Sequence, residues 1–537
     1  MEDSPSASTV VCGGTELPQE KEVADRTVRP RQRKLIGVLI IVALLIPFTA
    51  GFERAGPPMD EGLLLVYPEL IGHRALPYRD FETFYGPANI YVLATIYSLF
   101  GTGVMVERAV GLLYQALILS LVFALISRWS VALAACCSAL AAWILMAAGI
   151  AAYAWFGGMA CLLASLRVMI GTTLPARFFL AGLLGGYALL YRVDLTPAIF
   201  LSALPLLHLA PARQRVRYFA GITAGLLPLG LLACWVTPRE LINNLFLYPV
   251  FYSSPARHLP IFTVEPYLCA LFLTHLVAAA LNIAAGIVAV RTQPGEPRSR
   301  LLLSLALLGA MLTTQAAQRL DLFHFTCAAF LTIGMLPLSV LVLASGGREG
   351  RLTLTQVCLA SLIVFAVIET VAPELEPQAA VLPELKEGHF IQHAGRSFPH
   401  PSPEEARDLA SMLDWLEKES TSGQRLFVGP ADLRRTSYCD TFLYYLIPKL
   451  RPSSYFLEMN PLSANRAGSR LAADVASADW LVLNRALDGW KEKNRSLEFH
   501  SDVPNQVVRD KFQLAGKFGH YLVLQRKSSN SQINPLH

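Results

Sequence analysis

Four small groups of ionisable residues stand out in a chain otherwise poor in charge. The first is Asp60-Glu61. A carboxylate at an apolar–aqueous boundary can act as a general base, and partial burial raises its proton affinity toward the useful range. The second group is Arg192 with Asp194, the third Arg319, Asp321 and His324, the fourth Arg79-Asp80. A guanidinium grips a phosphate through paired N–H donors, so Arg79, Arg192 and Arg319 are candidate anion ligands. Asp80, Asp194, Asp321 and His324 are candidate substrate contacts beside them. Each group also has a plain structural reading. Asp60-Glu61 could be an exposed loop pair, the Arg/Asp sets local ion pairs, and His324 a satisfied interfacial polar residue. A proton acceptor next to arginines that hold an anion is what chemistry on a lipid-linked phosphate ester requires.

The chain that must position them has 537 residues, 53% of them hydrophobic and 16% charged, and a mean hydropathy of +0.43. An ordinary soluble domain is roughly 25% charged. The composition therefore excludes a wholly soluble protein, a disordered chain and a disulfide-rich secreted scaffold. The 45 basic and 40 acidic residues give a net charge of +5, without the concentrated basic face that a nucleic-acid partner would need. Cys136, Cys137, Cys161, Cys234, Cys269, Cys327 and Cys358 sit in apolar runs, where a thiol packs as a small hydrophobe. Cys12 and Cys439 lie in more polar surroundings. No cysteine pair has zinc-ligand spacing, and neither a metal nor another cofactor is expected.

Apolar stretches of spanning length fall near 35–52, 104–127, 131–150, 153–170, 178–191, 195–210, 218–236, 266–290, 301–317, 325–345 and 352–371. This predicts a polytopic α-helical membrane protein with about eleven transmembrane helices, the short fifth and sixth forming a broken pair. Residues 1–34 read as a polar, disordered cytoplasmic segment ending in Arg29, Arg31, Arg33 and Lys34, with no cleavable signal. Basic residues recur in alternate loops: Arg128; Arg177; Arg213, Arg215 and Arg217; Arg291, Arg298 and Arg300; Arg348 and Arg351. The positive-inside rule places those loops in the cytoplasm and the four ionisable groups at the outer face. A bacterial inner membrane is the expected location.

Within the outer segments, 63–71 and 88–100 read as interfacial helices. The loop 237–265 is long and aromatic. Residues 35–372 form the expected transmembrane domain. Residues 373–537 change character and predict an extracytoplasmic α/β domain. It should contain a helix over 403–419 capped by Ser402, helices near 439–447 and 465–476, and strands at 425–428, 454–457, 480–483 and 521–524.

The order of a first span, an acidic pair, a long outer loop closing in Tyr85-Gly86-Pro87 and Ser98-Leu99-Phe100-Gly101, then Glu107-Arg108 opening the next span resembles the GT-C membrane glycosyltransferases. The layout over 35–350 is similar to the protein O-mannosyltransferase and aminoarabinose-transferase branch. The resemblance implies a polyprenyl-phosphate-linked sugar donor, a hydroxyl acceptor on a lipid, glycan or protein, and membrane lipids as surroundings. It carries the catalytic base over to Asp60, with Glu61 as alternate or partner, and implies transfer with inversion. Tyr85 enters as a substrate contact. The aminoarabinose branch has a Lys-Pro-Pro-Leu segment where this chain has Tyr85-Gly86-Pro87-Ala88, so the lysine is missing, and Arg79 and Arg192 are the candidates to replace it. The metal-binding Asp-x-Asp of oligosaccharyl relatives is absent after the first span. Two other functions compete: a secondary transporter or lipid flippase, and a non-catalytic assembly protein. The one-sided clustering of charge and the lack of an internal repeat weigh against the transporter.

Overall fold

The computed structural model describes residues 30–171, 176–347, 353–371 and 388–528, apart from 437, 487, 490, 492, 494, 497, 499 and 500. Residues 1–29, with Cys12 and Arg29, the loop arginines Arg348 and Arg351, and the expected junction at 372–373 lie outside the described residues.

The first half of the chain runs through α1 (Pro30–Leu45), a 3-10 turn (Pro47–Glu53), α2 (Pro58–Gly72), α3 (Pro87–Phe100), α4 (Val104–Ile126), α5 (Val131–Met146) and α6 (Ala154–Gly171). It continues through α7 (Arg177–Tyr191), α8 (Thr196–Leu207), α9 (Ala212–Gly225) and α10 (Leu227–Leu232). Then follow α11 (Pro238–Ile242), a π-helical stretch (Asn243–Tyr252), α12 (Ser254–Arg257), α13 (Pro266–Thr292), α14 (Pro297–Gln318), α15 (Leu322–Gly334), α16 (Leu336–Ala344) and α17 (Leu354–Val371). Among the described residues, seven helical stretches are long and apolar enough to cross a membrane. Four shorter apolar helices accompany them, at Pro87–Phe100, Val131–Met146, Arg177–Tyr191 and Val193–Leu207. The protein is a multi-pass integral membrane protein of helical class.

The bundle is polarised. Arg128 follows the end of α4, Arg177 opens α7, and Arg291, Arg298 and Arg300 flank the α13–α14 turn. Asp60, Glu107, Tyr153, Arg192 and Arg319 all sit at the opposite helix ends.

Three readings of this region need correction. The span expected at 218–236 is two short helices that meet at Leu226, because Pro228 starts a new helix and cannot continue the preceding ladder. The helix over 63–71 is longer, Pro58–Gly72, and it buries Leu63, Leu65, Val66 and Tyr67. The first helix begins at Pro30, so residues 30–34 are helical rather than disordered.

The C-terminal region is α/β. A hairpin of β1 (His389–His393) and β2 (Arg396–His400) precedes α18 (Pro403–Glu419). As expected, Ser402 caps α18, its Oγ accepting the Glu405 N–H at 3.2 Å. Ala406, Leu409, Met412, Leu413 and Leu416 form its buried stripe at helical spacing. A five-stranded sheet has the order β4 (Arg451–Pro452), β3 (Arg425–Pro430), β5 (Trp480–Asn484), β7 (Tyr521–Arg526), β6 (Phe512–Phe518). The pairs β3–β4 and β3–β5 are parallel; β5–β7 and β6–β7 are antiparallel. Helices α19 (Phe442–Leu446), α20 (Leu471–Ser477) and α21 (Val503–Lys511) fill the connections. The strand expected at 454–457 does not form. Its backbone is held from outside the sheet: Tyr455 N–H donates to Asp474 Oδ2 at 2.9 Å, and Tyr455 C=O accepts the Glu82 N–H at 2.8 Å.

This region covers the end of the bundle. Thr441 Oγ1 donates to Met59 C=O at 2.6 Å, and Tyr455 Oη to Tyr78 C=O at 2.8 Å. Arg396 pairs with Glu69 of α2.

Candidate active site

Pro58 starts α2, so its first turn presents Asp60 and Glu61 side by side. Gly62 decides how deep that turn sits: a Cβ there would lie 2.4 Å from the Phe442 backbone nitrogen and 2.5 Å from Thr441 Oγ1. Only a residue without a side chain lets α2 close against α19, and the Thr441–Met59 hydrogen bond locks that contact.

The two carboxylates meet opposite fates. Glu61 is 2% exposed and forms a two-pronged ion pair with Arg108 of α4, Nε–Oε1 at 2.7 Å and Nη2–Oε2 at 2.8 Å. Arg108 Nη1 also donates to the carbonyls of Gly51, Phe52 and Arg54, at 2.9, 2.9 and 2.7 Å. The adjacent Glu107 accepts the Ala152 N–H at 2.5 Å. The Glu107-Arg108 pair thus ties the start of α4 to two loops. Asp60, by contrast, has no hydrogen bond or ion pair among the described residues. Burial, reinforced by the negative charge of Glu458 and partly offset by Arg257, pushes its carboxyl up to about 7.

Asp60 opens into a cavity of about 680 Å³. Of the residues expected from the sequence, the cavity brings together Asp60, Glu61, Tyr85, Arg192, Arg319, Asp321 and His324. Gly86 brings Tyr85 in: its N–H donates to Tyr191 C=O at 3.2 Å, and a Cβ would come within 2.0 Å of Leu190 C=O. The Arg192 guanidinium then lies 5.3 Å from the centre of the Tyr85 ring. Asp194 orients Arg192 through contacts of 3.0 and 2.5 Å and accepts a hydrogen bond from Gln315 at 2.9 Å, without itself lining the cavity. Asp321 likewise pairs with Arg319 at 3.0 Å and with His324 Nδ1 at 2.8 Å. Although burial opposes it, these partners hold the Asp321 carboxyl down to about 2.

Arg79 and Asp80 do not join this set. They pair with each other at 2.8 Å, 46% and 37% exposed, and Asp80 Oδ2 accepts the Leu76 N–H at 2.8 Å. Their work is to fix a surface turn.

Sequence reasoning missed Arg54, Arg257, Glu458 and Asn460, which all line the cavity. Arg257 ends the short α12 and stands over the Phe84 ring at 5.8 Å, with no side-chain ion pair among the described residues. Its signal was an arginine inside the aromatic loop 237–265, which also holds Arg239. Glu458 and Asn460 come from the C-terminal region, and nothing in their local sequence marks them. Among the described residues, no group of three or more His, Cys, Asp or Glu is arranged to hold a metal ion.

No protein-family model and no curated protein matches the chain. Solved structures do. The chain is similar to ArnT from Cupriavidus metallidurans bound to undecaprenyl phosphate, with a TM-score of 0.50 and 13% identity over 92% of this chain and 98% of that one. It is also similar to the apo state of ArnT from Cupriavidus metallidurans, with a TM-score of 0.52 and 14% identity over 91% and 97%. The chain shares the fold of these structures over 91–92% of its length.

Proposed function

We propose that the protein is a membrane glycosyltransferase that moves a sugar from a polyprenyl-phosphate donor to a hydroxyl acceptor at the outer face of the membrane. The observation that carries this reading is the unpaired Asp60 carboxyl, poised near 7, in one cavity with Arg192, Arg257 and Arg319. The ArnT structure bound to undecaprenyl phosphate supports the donor class. The orientation follows from the basic loops at the far end of the bundle.

In the proposed step, Asp60 accepts the proton of the acceptor hydroxyl while the oxygen attacks the anomeric carbon. A new carbon–oxygen bond forms as the bond to the phosphate oxygen breaks. The electron pair leaves with the polyprenyl phosphate, whose charge the guanidinium groups balance. Attack opposite the leaving group inverts the anomeric centre. Glu61 is a poor candidate for the base because both its oxygens are held by Arg108. Glu61 keeps α2 in place instead. The step calls for no metal.

The test is transfer from lipid-linked sugars by the full chain in lipid nanodiscs, read as polyprenyl phosphate released. Asp60→Asn should lose at least about 100-fold in rate while still binding the donor. Transfer at the unchanged rate by that variant would remove Asp60 from the role, and donor binding by neither protein would remove the donor class.

A further inference from the structure

We infer that the loop carrying Glu458 and Asn460 is the sugar-recognition wall of this cavity, Glu458 accepting hydrogen bonds from ring hydroxyls of the sugar being transferred. The inference rests on the glycosyltransferase reading above and adds to it the part that the C-terminal region plays.

Glu458 and Asn460 are only 6% and 4% exposed, yet both line the cavity. Glu458 Oε2 is buried without a hydrogen-bond partner, and so is Asn460 Nδ2. Asn460 sits beside Glu82 and favours its ionised form, but the contact lacks hydrogen-bond geometry, so Glu82 Oε2 is unpartnered too. A folded protein rarely buries polar groups without partners, because each costs its full desolvation penalty. Here Glu458 and Asn460 both line a cavity that a ligand would fill.

The loop is also held in an unfavourable shape. Met459 and Leu462 have φ of +54° and +64°, the left-handed region that suits glycine. Neighbouring hydrogen bonds enforce it. Asn465 Oδ1 accepts the Leu462 N–H at 2.8 Å, Asn465 Nδ2 donates to Arg434 C=O at 3.0 Å, and Ser463 Oγ donates to Glu82. Strain kept in place by such a network belongs with sites that must present groups at a fixed position.

The same cavity also carries cations. Arg192, Arg257 and Arg319 suit a phosphate and would gain nothing from a neutral hydroxyl-rich ring. Glu458 would repel the phosphate and suits the hydroxyls beside it. Glu458 and the arginines therefore suit the two halves of a phosphosugar, and Asp60, electrostatically coupled to both Glu458 and Arg257, shares the cavity with them. Ring hydroxyls also occur on an acceptor glycan, so the experiment omits acceptor to isolate the donor.

The full chain in nanodiscs is titrated with undecaprenyl phosphate and with undecaprenyl phosphate linked to arabinose, mannose, glucose or galactose. The wild type should bind at least one sugar-bearing lipid about tenfold more tightly than the bare lipid. Glu458→Gln, which keeps the side-chain volume, should erase that preference. Asn460→Ala should reduce it, and Arg257→Ala should weaken all five lipids together. Preference retained in Glu458→Gln would overturn the inference. Wild type that binds the bare lipid but prefers none of the four sugars would overturn it while leaving the donor class standing. Wild type that binds none of the five would overturn both.

Discussion

Two regions at the same end of the bundle use the same residue types in opposite ways. At one edge of the cavity, Glu61 and Arg108 satisfy each other and the loop carbonyls at 2.7–2.9 Å. Around the cavity itself, Asp60, Arg257 and Glu458 line open space without ion-pair partners among the described residues. Asp60 and Glu61 are consecutive in sequence, yet α2 turns one into each region. Charge alone therefore does not separate the two carboxylates at this membrane boundary; Glu61 has both oxygens held by Arg108, and Asp60 has no such partner among the described residues. A sealed ionic network fixes geometry, and an unsealed one keeps the capacity to bind and to move protons.

The comparison breaks most sharply at Asp60. Asp60→Asn should cut transfer by about 10²–10⁴-fold, with thermal stability close to that of the parent, since no partner is lost. Next comes the sealed region. Arg108→Met strips Glu61 of its only ion-pair partner among the described residues and should destabilise the protein by about 3–5 kcal/mol. Activity at low temperature should then track the folded fraction. A stable Arg108→Met that binds donor yet fails to transfer it would mean that the two regions are one functional unit.

A pH profile sharpens the same contrast. Asp60 must be deprotonated to accept a proton, and its carboxyl lies near 7. kcat/KM should therefore fall about tenfold per pH unit once the pH drops below roughly 6, and level off above about 8. A profile flat from pH 5 to 8 would argue against Asp60 as the base. Arg257→Ala should raise the donor requirement about tenfold with little change in kcat, the loss of one charge-assisted contact to phosphate.

The sequence exposed these regions unevenly, for physical reasons. Hydropathy is local, so the long helices were legible, and α18 with its Ser402 cap was read to the residue. The span at 218–236 was misread because Pro228 splits a hydropathy signal that a window averages over. The strand at 454–457 was misread because Asp474 and Glu82, distant in sequence, take the backbone groups a sheet would use. Asp60 could be found because an acid directly after an apolar span is conspicuous. Glu458 could not, because its importance comes from having no partner, a property of the fold alone, and Arg257 left only the weak signal of an arginine among aromatic residues. The β1–β2 hairpin, α21 and β6 left patterns too weak to read.

The smallest effect is expected at Arg79, and it tests the comparison from the other side. Arg79 and Asp80 have the composition of a phosphate-binding pair and were expected to act as one. Their geometry is good, with Nε–Oδ1 at 3.0 Å and Nη2–Oδ2 at 2.8 Å. They lie in solvent, however, away from the residues that line the cavity. An exposed pair gains little from its Coulomb attraction and is screened by salt. Arg79→Ala should change kcat, KM and thermal stability by less than about twofold, since Asp80 still accepts the Leu76 N–H that shapes the turn. An effect as large as that of Arg257→Ala would show that an arginine already paired at the surface can serve the donor. The distinction between charge in solvent and charge lining the cavity would then fail as a guide to this site.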